Sequence, residues 1–286
     1  MADKDVASSA ATSRLRLAEL GRAEDRDIRP AEAALLMASL ERPYSLVPAY
    51  LDYLAGLADE LRAAVAGEGR QDDSVRLAEA LVEVFGRRHR FRGDDRDDDD
   101  VSNTNLMEVI DRRRGVADAL GLVALDAARG AGLAIEGLAF PAHFLLRLED
   151  SGGRRIILDP CAGGGAMDPP AMRALLKAAI GLEAELEPAH YAAMGNRDMV
   201  IRLQNETKLR LLRCGRVDRA LTVVEATLLL APDEVSLWRE AGLMHMRLDN
   251  RPGAVAALEQ FVARTPNAQA RARTLALLAE IKGHLN

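Results

Sequence analysis

The stretch LAIEGLAFPAHFLLRLEDSGGRRIILDP, residues 133–160, carries the clearest structural pattern in the chain. Its apolar segments are short and rich in Ile, Leu and Phe, which is typical of strands. They are separated by Pro141, by the turn residues Ser151-Gly152-Gly153 and by Asp159-Pro160. We therefore predict three strands, with a hairpin turn between the second and the third, over residues 133–140, 144–148 and 155–158.

Helical patterns flank this stretch on both sides. Residues 117–131 are rich in Ala and Leu, both strong helix formers, and Gly132 ends the segment as a left-handed cap. Asn105 and Glu108 have the spacing of a capping box in the preceding helix, which runs to about Arg113. Further helices are expected at 31–40, from about Pro48, at 75–85 and from about Pro170.

A charged segment lies between the helices expected at 75–85 and 103–113. Four arginines precede six aspartates: Arg87, Arg88, Arg90 and Arg92, then Asp94, Asp95, Asp97, Asp98, Asp99 and Asp100. The acidic run lacks the Gly and the terminal Glu of an EF-hand calcium loop. We interpret the segment as a solvated loop in which opposite charges are in partial contact.

The C-terminal region repeats itself with a period of 34 residues. The pairs that recur are Ala220-Leu221 with Ala254-Val255, and Pro232-Asp233 with Pro266-Asn267. This period is the length of a tetratricopeptide unit, and the second copy has Trp238 and Gly242 where that unit has a large and a small residue. The first copy is weaker, with Gln204 and Lys208 at those positions. We predict two repeats and a capping helix over 271–285, with no cap on their N-terminal side.

The composition limits the cellular setting and the partner. The 286 residues are 49% hydrophobic and 3% aromatic, and a net charge of −6 disfavours nucleic acid, since that binding begins with neutralising phosphates. The two cysteines, Cys161 and Cys214, form no CxxC pair, which suits a reducing compartment. No signal-peptide run follows Met1, and no apolar run reaches about 18 residues. We expect a cytoplasmic protein with no nucleic-acid partner and no membrane partner.

The central segment contains several motifs that belong together. They are Phe91-Arg92-Gly93, Asn103-Thr104-Asn105-Leu106, VIDRRRGV at 109–116, Gly137, FPAHFLLR at 140–147 and Leu158-Asp159-Pro160. These motifs resemble the bacterial SirB-type family, which is described as a transglutaminase-like domain followed by tetratricopeptide repeats. The likeness runs from about Ala31 to the C-terminus, and the block around His143 and Asp159 is its most specific part.

The resemblance implies the catalytic arrangement of a papain-like site in its transglutaminase form. There a Cys at the start of a buried helix is the nucleophile, a His on a neighbouring strand takes its proton, and an Asp orients the His. In this chain the corresponding helix is 117–131, the His is His143 and the Asp is Asp159. The helix start reads Val116-Ala117-Asp118-Ala119, so the nucleophile is missing.

The missing nucleophile leaves several roles open for the residues of this site. His143 and Asp159 either hold two strands together through a charge-assisted hydrogen bond or line a ligand pocket. Cys161 is either a small buried side chain, which we favour, or a thiol that approaches His143. We expect no metal and no cofactor, and we expect partner contacts at Asp118, Asn103, Arg113 and Trp238.

The predicted fold class is α+β and mostly helical. Residues 1–29 form a polar N-terminal segment, residues 30–185 a transglutaminase-like domain with a small antiparallel sheet, and residues 195–286 the two repeats with their capping helix. The leading interpretation is a non-catalytic module that binds a protein or peptide, with a potential regulatory role. The alternatives are a hydrolase or acyl-transfer enzyme that uses His143 and Asp159 with water, a metal or Cys161, and a peptide adaptor that acts through the repeats alone.

Overall fold

The structure is a computed structural model that describes residues 2–42, 44–66, 73–94, 100–141 and 143–283. Of the charged segment, Asp95, Asp97, Asp98 and Asp99 lie outside these residues. The described chain is mostly helical, as predicted, and divides into two compact units. We call Glu24–Leu203 the core unit, and Met1–Ala23 together with Gln204–Asn286 the repeat unit.

Twelve α-helices are present in the described residues. They are α1 (Ala2–Arg22), α2 (Pro30–Glu41), α3 (Val47–Ala66), α4 (Ser74–Leu81), α5 (Leu106–Arg112), α6 (Ala117–Gly130), α7 (Pro169–Ile180), α8 (Asn196–Arg213), α9 (Val217–Leu230), α10 (Val235–Arg247), α11 (Arg251–Arg264) and α12 (Ala268–Gly283). Helix α4 continues as a π-helical segment, Val82–Arg88. The helices expected from the sequence are confirmed, with ends that shift by a few residues. None of the described helices is both long and apolar enough to span a lipid bilayer.

The strands of the described chain form two sheets in the core unit. A parallel pair consists of β1 (Arg92–Gly93) and β2 (Arg114–Gly115), and an antiparallel sheet has the order β3 (Ala134–Leu138), β4 (Leu145–Glu149), β5 (Arg155–Asp159) and β6 (Gly165–Ala166). The three predicted strands are β3, β4 and β5, and the predicted hairpin turn is present, with Gly153 at a φ of +79°. The sequence predicts a loop at β1 and a bend at β6, because strands of two residues leave no alternating pattern.

Helix α6 lies at the centre of the core unit. Eleven of its 14 residues are buried, and helices α2, α3 and α5 pack against it together with strands β3 and β4. Small side chains allow this close packing. A Cβ atom at Gly121 would lie only 2.5 Å from Cε1 of Phe144, which is itself fully buried. Because Phe144 directly follows His143, this contact fixes the backbone on which His143 stands.

The buried face of α6 also carries a charge with a partner. Asp126 is 8% exposed, and its two carboxylate oxygens accept hydrogen bonds of 2.6 and 2.7 Å from Arg29. The hydrogen bond to Asp126 raises the pKa of Arg29 above its already high ordinary value. A bidentate ion pair of this kind has a defined geometry, so it connects the start of α2 to α6.

In the repeat unit, consecutive helices from α9 to α12 pack on one another. A Cβ atom at Gly242 of α10 would lie 2.6 Å from Cγ of Leu258 in α11. Only a residue without a side chain fits there, which is the reason for the small residue at this position of the repeat. The predicted capping helix is α12.

Helix α1 packs against α9 within the same unit. Leu17 and Leu20 are buried, and a Cβ atom at Gly21 would lie 3.2 Å from the carbonyl carbon of Leu229 and would overlap its oxygen. The sequence predicts a polar, Ala-rich segment over residues 1–29 that becomes helical, and no N-terminal cap for the repeats. The helix is present as α1, and it packs on α9 at that side of the repeats. The sequence does not reveal this packing, because the apolar residues of α1 are too sparse to stand out.

Candidate functional site

Antiparallel pairing of β4 and β5 brings His143 and Asp159 to the same end of the sheet. Leu146 pairs with Leu158, so the chain just before β4 lies beside the end of β5, where Asp159 is the last residue. Nε2 of His143 lies 2.9 Å from Oδ1 of Asp159. The two side chains are 19% and 16% exposed, so the pair is largely buried and still accessible to solvent. The sequence-predicted pairing is therefore present.

Cys161 lies beside this pair. It is in a 3-10 turn, Pro160–Ala162, that follows β5 directly, and its backbone N–H donates to Oδ1 of Asp159 at 2.8 Å. One ring nitrogen of His143, one oxygen of Asp159 and Sγ of Cys161 all lie within 4.8 Å of one another. The sequence favours a buried packing role for Cys161, and the residue is partly buried and packs against the hydrophobic core. We call these three residues the His–Asp–Cys cluster.

The backbone of β1 lies against Cys161. A Cβ atom at Gly93 would lie 3.1 Å from Cβ and 3.2 Å from Sγ of Cys161. Strand β1 pairs with β2, and the last residue of β2, Gly115, is followed by Val116, the N-cap residue of α6. The short parallel pair thus links the chain beside Cys161 to the start of α6.

The start of helix α6 has no nucleophile. The helix begins at Ala117, and the next residue, Asp118, pairs with Arg202 of α8. Nε of Arg202 lies 2.6 Å from Oδ1 of Asp118, and its Nη1 donates to the carbonyl oxygen of Phe140 at 2.8 Å. Arg202 therefore neutralises the acidic side chain at the helix start and connects it to the segment before His143. The sequence does not reveal Arg202, because it lies 84 positions from Asp118.

Comparison with known protein families covers both parts of the chain. Residues 48–205, more than half of the chain, match the family described as the transglutaminase-like superfamily. The chain belongs to this superfamily. Residues 208–279 match a tetratricopeptide repeat family, as the 34-residue period predicts.

Several curated bacterial proteins are similar to this member of the superfamily over most of its length. A UPF0162 protein of Vibrio cholerae is 30% identical over 214 residues, which cover 75% of this chain and 78% of that protein. A UPF0162 protein of Xylella fastidiosa is 25% identical over 258 residues, covering 87% and 88%. The protein SirB1 of Salmonella typhimurium is 28% identical over 161 residues, covering 56% and 60%. The resemblance to the SirB-type family is therefore confirmed.

Two of the residues expected to contact a partner, Asn103 and Arg113, have roles in the local fold of this superfamily member. Asn103 is 1% exposed, and its carbonyl oxygen accepts the N–H of Val116 at 2.9 Å, which holds the start of α6. Arg113 ends α5 with a φ of +60°, and its guanidinium lies 4.4 Å from the ring centre of Tyr53 and 5.0 Å from that of Phe91. Burial raises the pKa of Tyr53 to about 12, although the positive charge of Arg113 acts in the opposite direction.

Trp238, also expected to contact a partner, belongs to the repeat unit and not to the core unit that holds the other candidates. Its Nε1 donates to the carbonyl oxygen of Pro232 at 2.8 Å. The guanidinium of Arg264 lies 5.2 Å from the centre of the indole ring, a cation–π distance. The half-buried indole therefore joins the turn before α10 to the end of α11.

Proposed function

We propose that this chain is a non-catalytic transglutaminase-like protein that binds a protein or peptide in the cytoplasm and regulates its partner. The observation that carries the proposal is the start of α6. Ala117 stands where the nucleophile would be, and Asp118 beside it is held by Arg202. An alanine cannot form the covalent intermediate on which transglutaminase chemistry depends. The superfamily fold is then a scaffold for recognition.

The repeat unit supports a binding role through two helices that carry matching side chains. By the 34-residue period, Arg239 of α10 is equivalent to Arg273 of α12, and Leu243 is equivalent to Leu277. Both arginines are exposed and both leucines are half-buried. A cavity of about 160 Å³ is lined by Met246 of α10, by Leu277, Glu280 and Ile281 of α12, and by Asp249 and Arg251. Arg239 and Arg273 lie nearer the N-terminal ends of the same two helices, outside this lining. We call this surface the α10–α12 groove.

The chemistry of the groove favours a peptide with two features. Met246 and Leu277 offer an apolar contact, which suits one aliphatic or aromatic side chain. Asp249 and Glu280 make the cavity itself acidic, so a carboxylate of the peptide would bind outside it, to the guanidinium groups of Arg239 and Arg273, through two parallel hydrogen bonds. A segment that combines an apolar anchor with Asp or Glu meets both requirements.

The proposal is tested by panning a random peptide library, displayed on phage, against the full chain. We expect enrichment of peptides that carry an acidic residue near an apolar anchor. The double variant Arg239→Ser with Arg273→Ser should bind these peptides at least about tenfold more weakly, since one charged hydrogen bond contributes about 1.5 kcal/mol or more.

Matched variants distinguish peptide binding in the α10–α12 groove from a general effect of surface charge on affinity. Arg216→Ser removes an exposed arginine of the same unit, one that pairs with Asp218, and should leave peptide affinity unchanged. His143→Gln should also leave it unchanged. Peptides that bind the double variant as well as the wild type, or that need His143, would contradict binding in the α10–α12 groove.

One observation favours a second candidate function, acyl transfer or hydrolysis by Cys161. Its sulfur lies within 4.8 Å of groups of His143 and Asp159, and a His–Asp pair is the usual means of activating a thiol. In this alternative the nucleophile is the Cys161 thiol in the turn after β5, in place of a residue at the start of α6. Covalent trapping on Cys161 distinguishes it from the non-catalytic proposal.

A further inference from the structure

We propose that the His–Asp–Cys cluster is a binding site for a divalent transition-metal ion, best matched by Zn²⁺. The three donor groups come from two neighbouring chain segments, His143 before β4 and Asp159 with Cys161 after β5. Their nitrogen, oxygen and sulfur atoms lie within 4.8 Å of one another. The proposal goes beyond the binding of a peptide by the repeat unit and does not depend on it.

The donor set determines the class of metal. Imidazole, carboxylate and thiolate are the three side-chain groups that bind Zn²⁺ in proteins, at about 2.0 to 2.3 Å. Mg²⁺ and Ca²⁺ prefer sites made of oxygen donors, and a thiolate selects against them. One thiolate and one carboxylate also balance the two positive charges of the ion, so the partly buried site stays neutral.

The geometry needs only local adjustment to hold the ion. Donor atoms of a tetrahedral zinc site lie about 3.3 to 3.8 Å apart, as follows from the bond lengths. Here Nε2 of His143 and Oδ1 of Asp159 are 2.9 Å apart, and no pair in the cluster exceeds 4.8 Å. Rotation of side chains that are only partly buried covers these differences, while the register of β4 and β5 keeps the backbones in place.

A hydrogen bond that orients the carboxylate of Asp159 as a ligand is already present. The backbone N–H of Cys161 donates to Oδ1 of Asp159 at 2.8 Å, and hydrogen bonds of this kind orient a carboxylate ligand and strengthen metal binding. Binding replaces the hydrogen bond between His143 and Asp159 with two bonds to the metal. The Cys161 thiol gives its proton to solvent as the sulfur–metal bond forms, so that one Zn²⁺ releases one proton from sulfur.

The cluster supplies three ligands, and zinc sites have four. The fourth position is therefore filled from outside the cluster, by a water molecule or by a donor group of a bound partner. Since His143 and Asp159 are each accessible to solvent, such a ligand reaches the site without opening the core.

The experiment is a titration of the full, metal-free chain with ZnCl₂ and, separately, with CoCl₂. Calorimetry should give one bound ion per chain. Cobalt should add a thiolate-to-metal charge-transfer band to the absorption spectrum, which reports a sulfur ligand directly. Cys161→Ser should abolish this band and weaken Zn²⁺ binding at least about 100-fold, the upper end of the loss caused by removing an outer-shell partner.

Control variants make each outcome decisive. Cys214→Ser removes the other thiol of the chain, which lies in the repeat unit, and should change neither stoichiometry nor spectrum. Asp159→Asn keeps an acceptor for the N–H of Cys161 and so preserves the turn, but it should weaken metal binding. Circular dichroism checks that each variant is folded.

Three results would overturn the metal site: no stoichiometric binding, unchanged affinity in Cys161→Ser, or loss of the cobalt band in Cys214→Ser. The double variant of Arg239 and Arg273 should bind metal like the wild type. Failure of the peptide proposal and failure of the metal site are therefore distinguishable.

Discussion

Two glycine-to-alanine substitutions in the core unit should change stability in opposite directions. At Gly121 in α6 a new Cβ atom would lie 2.5 Å from Cε1 of Phe144, whereas ordinary carbon contacts are about 3.5 to 4.0 Å. A fully buried ring must therefore move by about 1 Å. Overpacking of this kind costs about 1 to 3 kcal/mol, and the higher helix propensity of Ala offsets about 1 kcal/mol. We expect Gly121→Ala to lower the free energy of unfolding by up to about 2 kcal/mol.

Gly56 in α3 is the matched control. It is exposed, and a Cβ atom there would meet nothing within 4 Å. Gly56→Ala should therefore raise the free energy of unfolding by up to about 1 kcal/mol, because Ala has the better helix propensity and restricts the unfolded chain. Urea unfolding followed by circular dichroism measures both. A Gly121→Ala protein as stable as the Gly56→Ala protein would refute the close packing of α6 against Phe144, on which the position of His143 rests.

Three further predictions concern other contacts of the described chain. Gly21→Ala should destabilise the repeat unit by about 1 to 3 kcal/mol, because its Cβ would overlap a backbone oxygen of α9. Gly283→Ala, whose Cβ would meet nothing within 4 Å, should not. Equal melting temperatures for the two variants would contradict the packing of α1 on α9. Arg202→Gln should lower the free energy of unfolding by about 1.5 to 3 kcal/mol, because it leaves Asp118 without its guanidinium partner. In a double-mutant cycle, adding Asp118→Asn should recover part of that loss. Fully additive losses would argue against the pair. Tyr53, with a pKa of about 12, should ionise above the usual tyrosine range in an absorbance titration. Since the phenol of the unfolded chain ionises near pH 10, the stability of the folded protein should fall as pH rises from about 10 to 12. A titration curve unchanged by Tyr53→Phe would contradict this prediction.

Local signals in the sequence predict much of the fold. The alternation of short apolar segments with Pro and Gly predicts β3, β4 and β5, and Ala-rich composition predicts α6. Asn105 caps α5 through hydrogen bonds from the N–H groups of Met107 and Glu108, as the spacing indicates. The pairing of His143 with Asp159 also follows, because Asp159 ends β5 and His143 lies just before β4, its antiparallel neighbour.

Contacts between distant parts of the chain could not be predicted. Arg202 lies in a segment that the sequence associates with the first repeat, and nothing local connects it to Asp118. Asp126 is charged, so the sequence alone suggests an exposed position on α6. It is buried because Arg29, from a distant part of the chain, pairs with it. The position of Cys161 depends on the side chain of Asp159 capping the turn, which a spacing of two residues does not specify.

The central claim, that the cluster performs no covalent acyl chemistry, is tested most directly by intact-protein mass spectrometry. The full chain is incubated with a glutamine-containing peptide as acyl donor and a primary amine as acceptor. We predict no acyl adduct on Cys161 and no transamidated peptide. An acyl-thioester on Cys161 that accumulates with product, is lost in Cys161→Ser and persists in Cys214→Ser would contradict the account.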